Sequence, residues 1–300
     1  MRIREHKQGK SHAKQLLSNG RFKNGNKEHA LAVKQETSAL WQASGVDGFL
    51  SGPFSTEELT FSFAINQLKS GKAQGPDNIL PQFIMKCGPR GIKWLGGFFN
   101  NCMSDLQVPK IWRKATFVNI PKPKKPTDDP KNYHPISLLY VPFKLPERLI
   151  LARIEPVIDP QLPNEQAGFR NDRSTVHQIA QLTEDIEDAF EAGHKGGVIL
   201  VDLTAAYDTV WHQGLILKLL RMVPDCHLVQ VLSTIISNNS FILKTSDAQV
   251  SRSRWLKNGV PQGSVLAPTL FNVYISDLPE RTSAKYGYAD DLALLYSELA

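Results

Sequence analysis

Two distant stretches of this 300-residue chain place carboxylates where they could act together. Tyr286-Gly-Tyr-Ala-Asp-Asp-Leu-Ala-Leu-Leu295 carries an adjacent acid pair, Asp290-Asp291, between apolar flanks. The flanks read as two short strands and the pair as the tight turn between them, a position that Asp tolerates. Gly197-Val-Ile-Leu-Val-Asp-Leu203 is a continuous apolar run, the pattern of a strand buried on both faces, and it ends on Asp202. If the two stretches are neighbours in one sheet, three carboxylates converge. Such a group repels itself unless a cation sits within it, and hard oxygen ligands suit Mg²⁺. Two divalent ions held there can activate an attacking hydroxyl and stabilise a leaving phosphate oxygen. An isolated Asp-Asp pair is more often an ordinary solvated turn, so the neighbouring sequence has to decide.

The elements that would position these acids follow from periodicity and punctuation. Asn26 to Ala43 has the marks of a weak helix, and Ser55-Thr-Glu-Glu58 is a capping box opening a helix that ends near Gly71. Alternation over Leu59, Phe61, Phe63 and Ile65 fits a strand as well. An apolar helical region runs from Pro81 to Leu106, broken at Gly88-Pro-Arg-Gly91. Ala115 to Ile120 reads as a strand leading into a basic, proline-spaced loop, Pro121-Lys-Pro-Lys-Lys-Pro126. A helix pattern follows through Leu149, Ile150 and Ile154. Ser174 caps a helix lined by Ile179, Leu182, Ile186 and Phe190, which Gly193 stops. Two helices near Leu215–Met222 and Leu228–Ile236 precede a hairpin, Phe241–Thr245 and Val250–Leu256. Asn258-Gly-Val-Pro-Gln-Gly-Ser264 is a loop, and Pro268 suits the start of a helix carrying Leu270, Phe271, Tyr274 and Ile275.

Composition narrows the class. Hydrophobic content of 41% and charged content of 21% are those of a globular chain, and no apolar run approaches a membrane span. Cys87, Cys102 and Cys226 lack metal or disulfide spacing and read as reduced thiols of an intracellular protein. The net charge of +6 is concentrated: Met1 to Lys34 holds nine Lys/Arg against two acids, and Lys110 to Lys131 seven against two. Positive surface of this kind favours polyanions such as nucleic acid. Residues 1–50 read as a basic, partly disordered segment.

Val201-Asp-Leu-Thr-Ala-Ala-Tyr-Asp-Thr-Val-Trp-His212, Asn258-Gly-Val-Pro-Gln-Gly-Ser-Val-Leu-Ala-Pro268 and Tyr288-Ala-Asp-Asp291 resemble, in the right order, the three palm motifs of reverse transcriptases. The wording is similar to that of jockey-type non-LTR retrotransposons. Gly71-Lys-Ala-Gln-Gly-Pro-Asp77, Ile120-Pro-Lys-Pro-Lys-Lys125, Tyr133-His-Pro-Ile-Ser-Leu-Leu139 and Glu165-Gln-Ala-Gly-Phe-Arg170 agree with it. The resemblance implies an α+β right-hand polymerase. Residues 51–195 would form a fingers-like region with part of the palm, and residues 196–300 a palm with its mostly antiparallel sheet backed by helices. It implies an RNA-directed DNA polymerase that transfers nucleotides from deoxynucleoside triphosphates to a DNA primer 3′-hydroxyl on an RNA template. Two Mg²⁺ ions, or Mn²⁺, would serve as cofactors. The protein would be nuclear if it acts in element insertion and cytoplasmic otherwise.

The same resemblance assigns roles residue by residue. Asp202, Asp290 and Asp291 are the catalytic acids, and with Leu203 they form the metal site. Tyr207 packs under the sugar of the incoming nucleotide and rejects a 2′-hydroxyl, while Gln262 and Gly263 approach the nascent base pair. Lys122 and His134 face the triphosphate. Lys124, Lys125, Arg170 and Arg173 contact nucleic-acid backbone. Asp208 and Trp211 are structural. His134 departs from the arginine usual at its position; a neutral imidazole offers one donor and no fixed charge, so nucleotide affinity should fall. Pro146 interrupts a helix start, harmless only if it lies in the first turn. The chain stops soon after the acid pair, so the expectation is a polymerase without its thumb and with weak or lost activity. The alternative is an inactive nucleic-acid-binding remnant. A metal-dependent nuclease is a third class, in which Tyr207 and the Asn258–Ser264 loop would have no role.

Overall fold

Helix boundaries follow the punctuation in the sequence. The computed structural model describes residues 27–43, 50–55, 64–124, 126, 132–203, 205–244, 250–278 and 284–299. After α1 (Lys27–Ala43), both α2 (Pro81–Met85) and α3 (Pro89–Ser104) open on a proline, whose missing N–H costs nothing in a first turn. Pro146 likewise falls in the first turn of α4 (Lys144–Ile158), where it costs little, whereas Pro156 lies inside the same helix near its C-terminal end. Ser174 caps α5 (Thr175–Glu191), its Oγ accepting from the His177 N–H, and Gly193 at φ +71° ends the helical path. Three further helices follow: α6 (His212–Met222), α7 (Cys226–Ile236) and α8 (Ala267–Ile275).

The strands form two sheets. β1 (Lys114–Pro121), β2 (Tyr133–Leu138), β4 (Ser240–Lys244) and β5 (Arg254–Trp255) make the first, in the order β2-β1-β4-β5. β1 is antiparallel to β2 and parallel to β4. Pro135 is accommodated because β2 is an edge strand. β3 (His194–Asp202), β6 (Ala284–Tyr288) and β7 (Asp291–Leu299) make the second, in the order β3-β7-β6 and wholly antiparallel. The main core is helical, with Phe99, Leu145, Ile150, Ile154, Leu215, Leu219, Leu228, Leu232 and Phe271 fully buried. A smaller cluster joins Leu182 and Ile186 of α5 to Tyr286, Ala293 and Leu295 of the second sheet.

Three expectations change. Most of the helix expected from Ser55 lies outside the described residues. The part that is described, Ala64 to Gly71, runs in turns. Burial of Ala64, Ile65 and Leu68, and a bond from Arg148 Nη1 to the Ala64 carbonyl (3.0 Å), hold that stretch without a helix. Second, β3 is not buried on both faces: it is an edge strand, and Leu200 is 79% exposed. Third, only part of the α5 stripe packs inward, since Ile179 and Phe190 are exposed. Among the described residues no helix is long and apolar enough to cross a membrane.

Candidate active site

Antiparallel register does what the sequence reading required of it. Asp202 at the end of β3 is paired with Asp291 at the start of β7, and Tyr288 closes the hairpin on the other edge of the same residue. Register partners project to the same face of a sheet, so Asp202 and Asp291 share one. Asp290 lies in the two-residue turn with Ala289, and its carbonyl accepts the Leu203 N–H at 3.1 Å. Three acids and the backbone of Leu203 are thereby gathered at one end of one sheet. As a donor set, carboxylate oxygens from Asp202, Asp290 and Asp291 suit a hard divalent cation. Among the described residues, no three His, Cys, Asp or Glu side chains are grouped tightly enough to hold a metal ion.

Tyr207 stands beside the acids. It lies in the short 3-10 turn Ala206–Thr209, entered through Ala205 in the left-handed region at φ +53°. Its ring stacks on Phe271 of α8 (centroids 5.0 Å apart, 14° between planes) and meets the edge of Phe169 at 6.3 Å and 88°. Burial raises the Tyr207 hydroxyl well above the ordinary phenol range, and the nearby negative charge of Asp290 raises it further. The tyrosine is therefore a neutral wall at neutral pH.

The Asn258–Ser264 loop is stitched to that turn. Val260 N–H donates to the Tyr207 carbonyl (2.9 Å) and Gly259 N–H to the Val210 carbonyl (2.7 Å). His212 Nε2 bonds the Gly259 carbonyl at 2.7 Å. The loop's other end touches the first sheet, where Ser137 N–H of β2 donates to the Gln262 carbonyl at 2.9 Å. Gly263, at φ +129°, lies so close that a Cβ would stand 2.6 Å from the Ser137 carbonyl oxygen. A side chain there would push loop and strand apart. Gln262 itself is exposed. The loop is anchored from below by Glu147 of α4, whose fully buried carboxylate accepts from the Ser264 hydroxyl and the Val265 N–H (3.2 Å). Burial pushes the Glu147 carboxyl up to about 7.

The remaining residues of the sequence reading fall elsewhere. Lys122 and Lys124 follow β1 on the loop toward β2, and among the described residues no hydrogen bond or ion pair joins them to the acids. Lys125 lies outside the described residues. His134 is on β2, in register with Ile120. Arg173 is half-buried and donates to the carbonyl (2.7 Å) and side-chain oxygen (2.9 Å) of Asn164. Arg170 requires correction. Its guanidinium points inward, not toward nucleic acid, and donates to both carboxylate oxygens of Asp159 and to the carbonyls of Asp159, Pro163 and Gln166. A charge on a polar stretch gives no hint that its partner waits eleven residues upstream. Nothing in the sequence singles out three residues that the structure places near the site: Glu147, Gln166 and Phe169. The signal for two of them was the Glu165–Arg170 stretch, which carried part of the resemblance.

Residues 120–300 match the model of the reverse transcriptase (RNA-dependent DNA polymerase) family. The chain belongs to that family. Within it, the resemblance to jockey-type polymerases stands. The chain is 36% identical over 256 residues to the probable RNA-directed DNA polymerase from transposon BS of Drosophila melanogaster, covering 82% of this chain and 28% of that one. It is 32% identical to the probable RNA-directed DNA polymerase from transposon X-element of the same species, over 76% of this chain and 26% of the relative. With the RNA-directed DNA polymerase from mobile element jockey it shares 30% identity, over 83% and 29%. The chain thus spans less than a third of the length of these relatives.

Proposed function

We propose that this chain carries the fingers and palm of an RNA-directed DNA polymerase, residues 51–195 contributing mainly the fingers and 196–300 the palm. The primer 3′-hydroxyl oxygen would bond to the α-phosphorus of a deoxynucleoside triphosphate. The bond to the bridging oxygen breaks, pyrophosphate leaves, and the hydroxyl proton passes to solvent. The observation that carries this reading is the register pairing of Asp202 with Asp291, with Asp290 in the adjoining turn and Tyr207 beside it.

Asp202, Asp290 and Asp291, with the backbone of Leu203, supply the oxygen donors that would hold two Mg²⁺ ions, once the carboxylates draw closer than they stand in this structure. Such ions, when bound, lower the barrier by activating the hydroxyl and neutralising the leaving oxygen. Tyr207 closes the space beside the sugar; its ring is fixed between Phe169 and Phe271, which favours discrimination by shape. Gln262 and Gly263, held against β2, would border the nascent base pair. Lys122 and His134 would face the triphosphate, with Lys124, Lys125 and Arg173 toward the backbones of an RNA template and DNA primer. If it acts in element insertion such a protein would work in the nucleus, and otherwise in the cytoplasm.

A second reading, a binding remnant without chemistry, is favoured by His134, which supplies no fixed charge to a triphosphate. Primer extension on an RNA template with Mg²⁺ separates the two. The polymerase reading expects addition of deoxynucleotides in preference to ribonucleotides. Retained primer–template binding with no addition of either would give the second reading.

A further inference from the structure

The segment Glu165–Arg170 reaches the acid-bearing turn from the outer edge of β6. Gly287 N–H donates to the Glu165 carbonyl (2.6 Å) and Ala167 N–H to the Gly287 carbonyl (2.9 Å), forming a parallel bridge between Gln166 and Gly287. That bridge leaves the Gln166 side chain, 7% exposed, alongside Ala289. Its Oε1 accepts from the Ala289 N–H (3.0 Å) and from the Gly168 N–H (2.8 Å), and its Nε2 donates to the Ala289 carbonyl (3.0 Å). One planar amide thus satisfies both backbone polar groups of the residue preceding Asp290.

That residue needs restraint. Ala289 sits at φ +58°, in the left-handed region that non-glycine residues seldom adopt. The approach is close as well: a Cβ on Gly168 would lie 2.1 Å from the Ala289 nitrogen. Behind the contact the segment is tied to rigid elements. Asn272 of α8 donates to the Gly168 carbonyl (2.8 Å), and Arg170 holds the Gln166 carbonyl (3.1 Å) and Asp159.

We propose that Gln166 is a positioning residue for the catalytic acids: by gripping both sides of Ala289 it sets the direction of Asp290 relative to Asp202 on the other side of β7. This rests on the polymerase reading and adds to it a residue that touches neither metal nor substrate. The chemistry of the side chain is specific. Methionine would match its length but neither accept nor donate as it does. Glutamate would keep both accepted bonds and turn an oxygen toward the Ala289 carbonyl.

The test uses the whole chain with Mn²⁺ as probe, followed by the loss of the free-ion electron paramagnetic resonance signal, together with amide exchange at Ala289. Gln166→Met is expected to speed exchange at Ala289 and to weaken Asp290-dependent Mn²⁺ binding by about tenfold or more, as loss of an outer-shell partner does. Gln166→Glu, which loses one bond of three, is expected to fall between Met and wild type, and it serves if the Met variant fails to fold. A merely structural brace would shift the melting temperature and leave the Mn²⁺ affinity of the folded protein alone. Unchanged exchange at Ala289 overturns the grip. Unchanged Mn²⁺ affinity in Gln166→Met, with binding lost in Asp290→Ala, overturns the positioning role. Equal Mn²⁺ binding by wild type and Asp290→Ala overturns instead the metal reading, and exchange alone then decides whether Gln166 holds the turn.

Discussion

Glu147 is wholly buried near the start of α4 and holds the Asn258–Ser264 loop through Ser264 and Val265. Its carboxyl is raised from 4.5 to about 7, chiefly by burial, with the bonds to Ser264 and Val265 and the charges of Lys144 and Arg148 opposing the rise. The folded state therefore binds this proton more tightly than the unfolded chain. The resulting stability is fully present below pH 4.5 and is lost as pH rises through about 7. Across that window the loss amounts to roughly 3 kcal/mol. Urea unfolding at several pH values should show this slope in the wild type and its loss in the permanently neutral Glu147→Gln; parallel profiles would contradict it. Little of this was visible in the sequence. Lys144-Leu-Pro-Glu-Arg-Leu149 reads as an ordinary helix start, and burial of its glutamate depends on a loop more than a hundred residues later. Arg170 misled for the same reason, because charge type does not reveal whether a partner is protein or nucleic acid.

Local signals hold at α5 and in the β6–β7 hairpin but not over Ala64–Gly71, where the Ser55 capping box would continue a helix, and pairings between distant segments are legible only in part. The hairpin Tyr286–Leu295 turns at Ala289 and Asp290, one residue before the acid pair, with Asp291 already in β7, and Ser174 and Gly193 bound α5, because caps and turns are written in adjacent residues. The parallel pairing of β1 with β4 joins segments more than a hundred residues apart, and no periodicity announces it. The exposed edge strand β3 was misjudged because an apolar run looks the same whether one face or both are covered. Asp225 shows an element fixed by both kinds of contact. It caps α7 through the Leu228 N–H (2.9 Å) and also accepts from Leu50 (3.0 Å) and Ser51 (2.8 Å). Asp225→Ala would strand three amide donors in a buried site and should destabilise the fold by about 3 kcal/mol. Thermal unfolding measures this, and a shift no larger than that of a surface substitution would argue against the coupling.

At the scale of the whole molecule, a net charge of +6 and the basic loop after β1 predict a large electrostatic share in binding primer–template. Affinity should fall steeply with salt. Replacing both Lys122 and Lys124 by alanine should lessen the slope of log K against log salt by about 1 to 2 if both reach phosphates. An unchanged slope would place them away from the nucleic acid. The proposed nucleotidyl transfer depends on Asp202 and Asp291, paired at one sheet end, and on Asp290 in the adjoining turn. The most direct measurement is single-nucleotide addition to a primer on an RNA template with Mg²⁺, comparing the wild type with Asp290→Ala and Asp202→Ala at equal primer–template occupancy. Addition is expected from the wild type and none above background from either variant. Addition by the variants at the wild-type rate would show that the chemistry lies elsewhere.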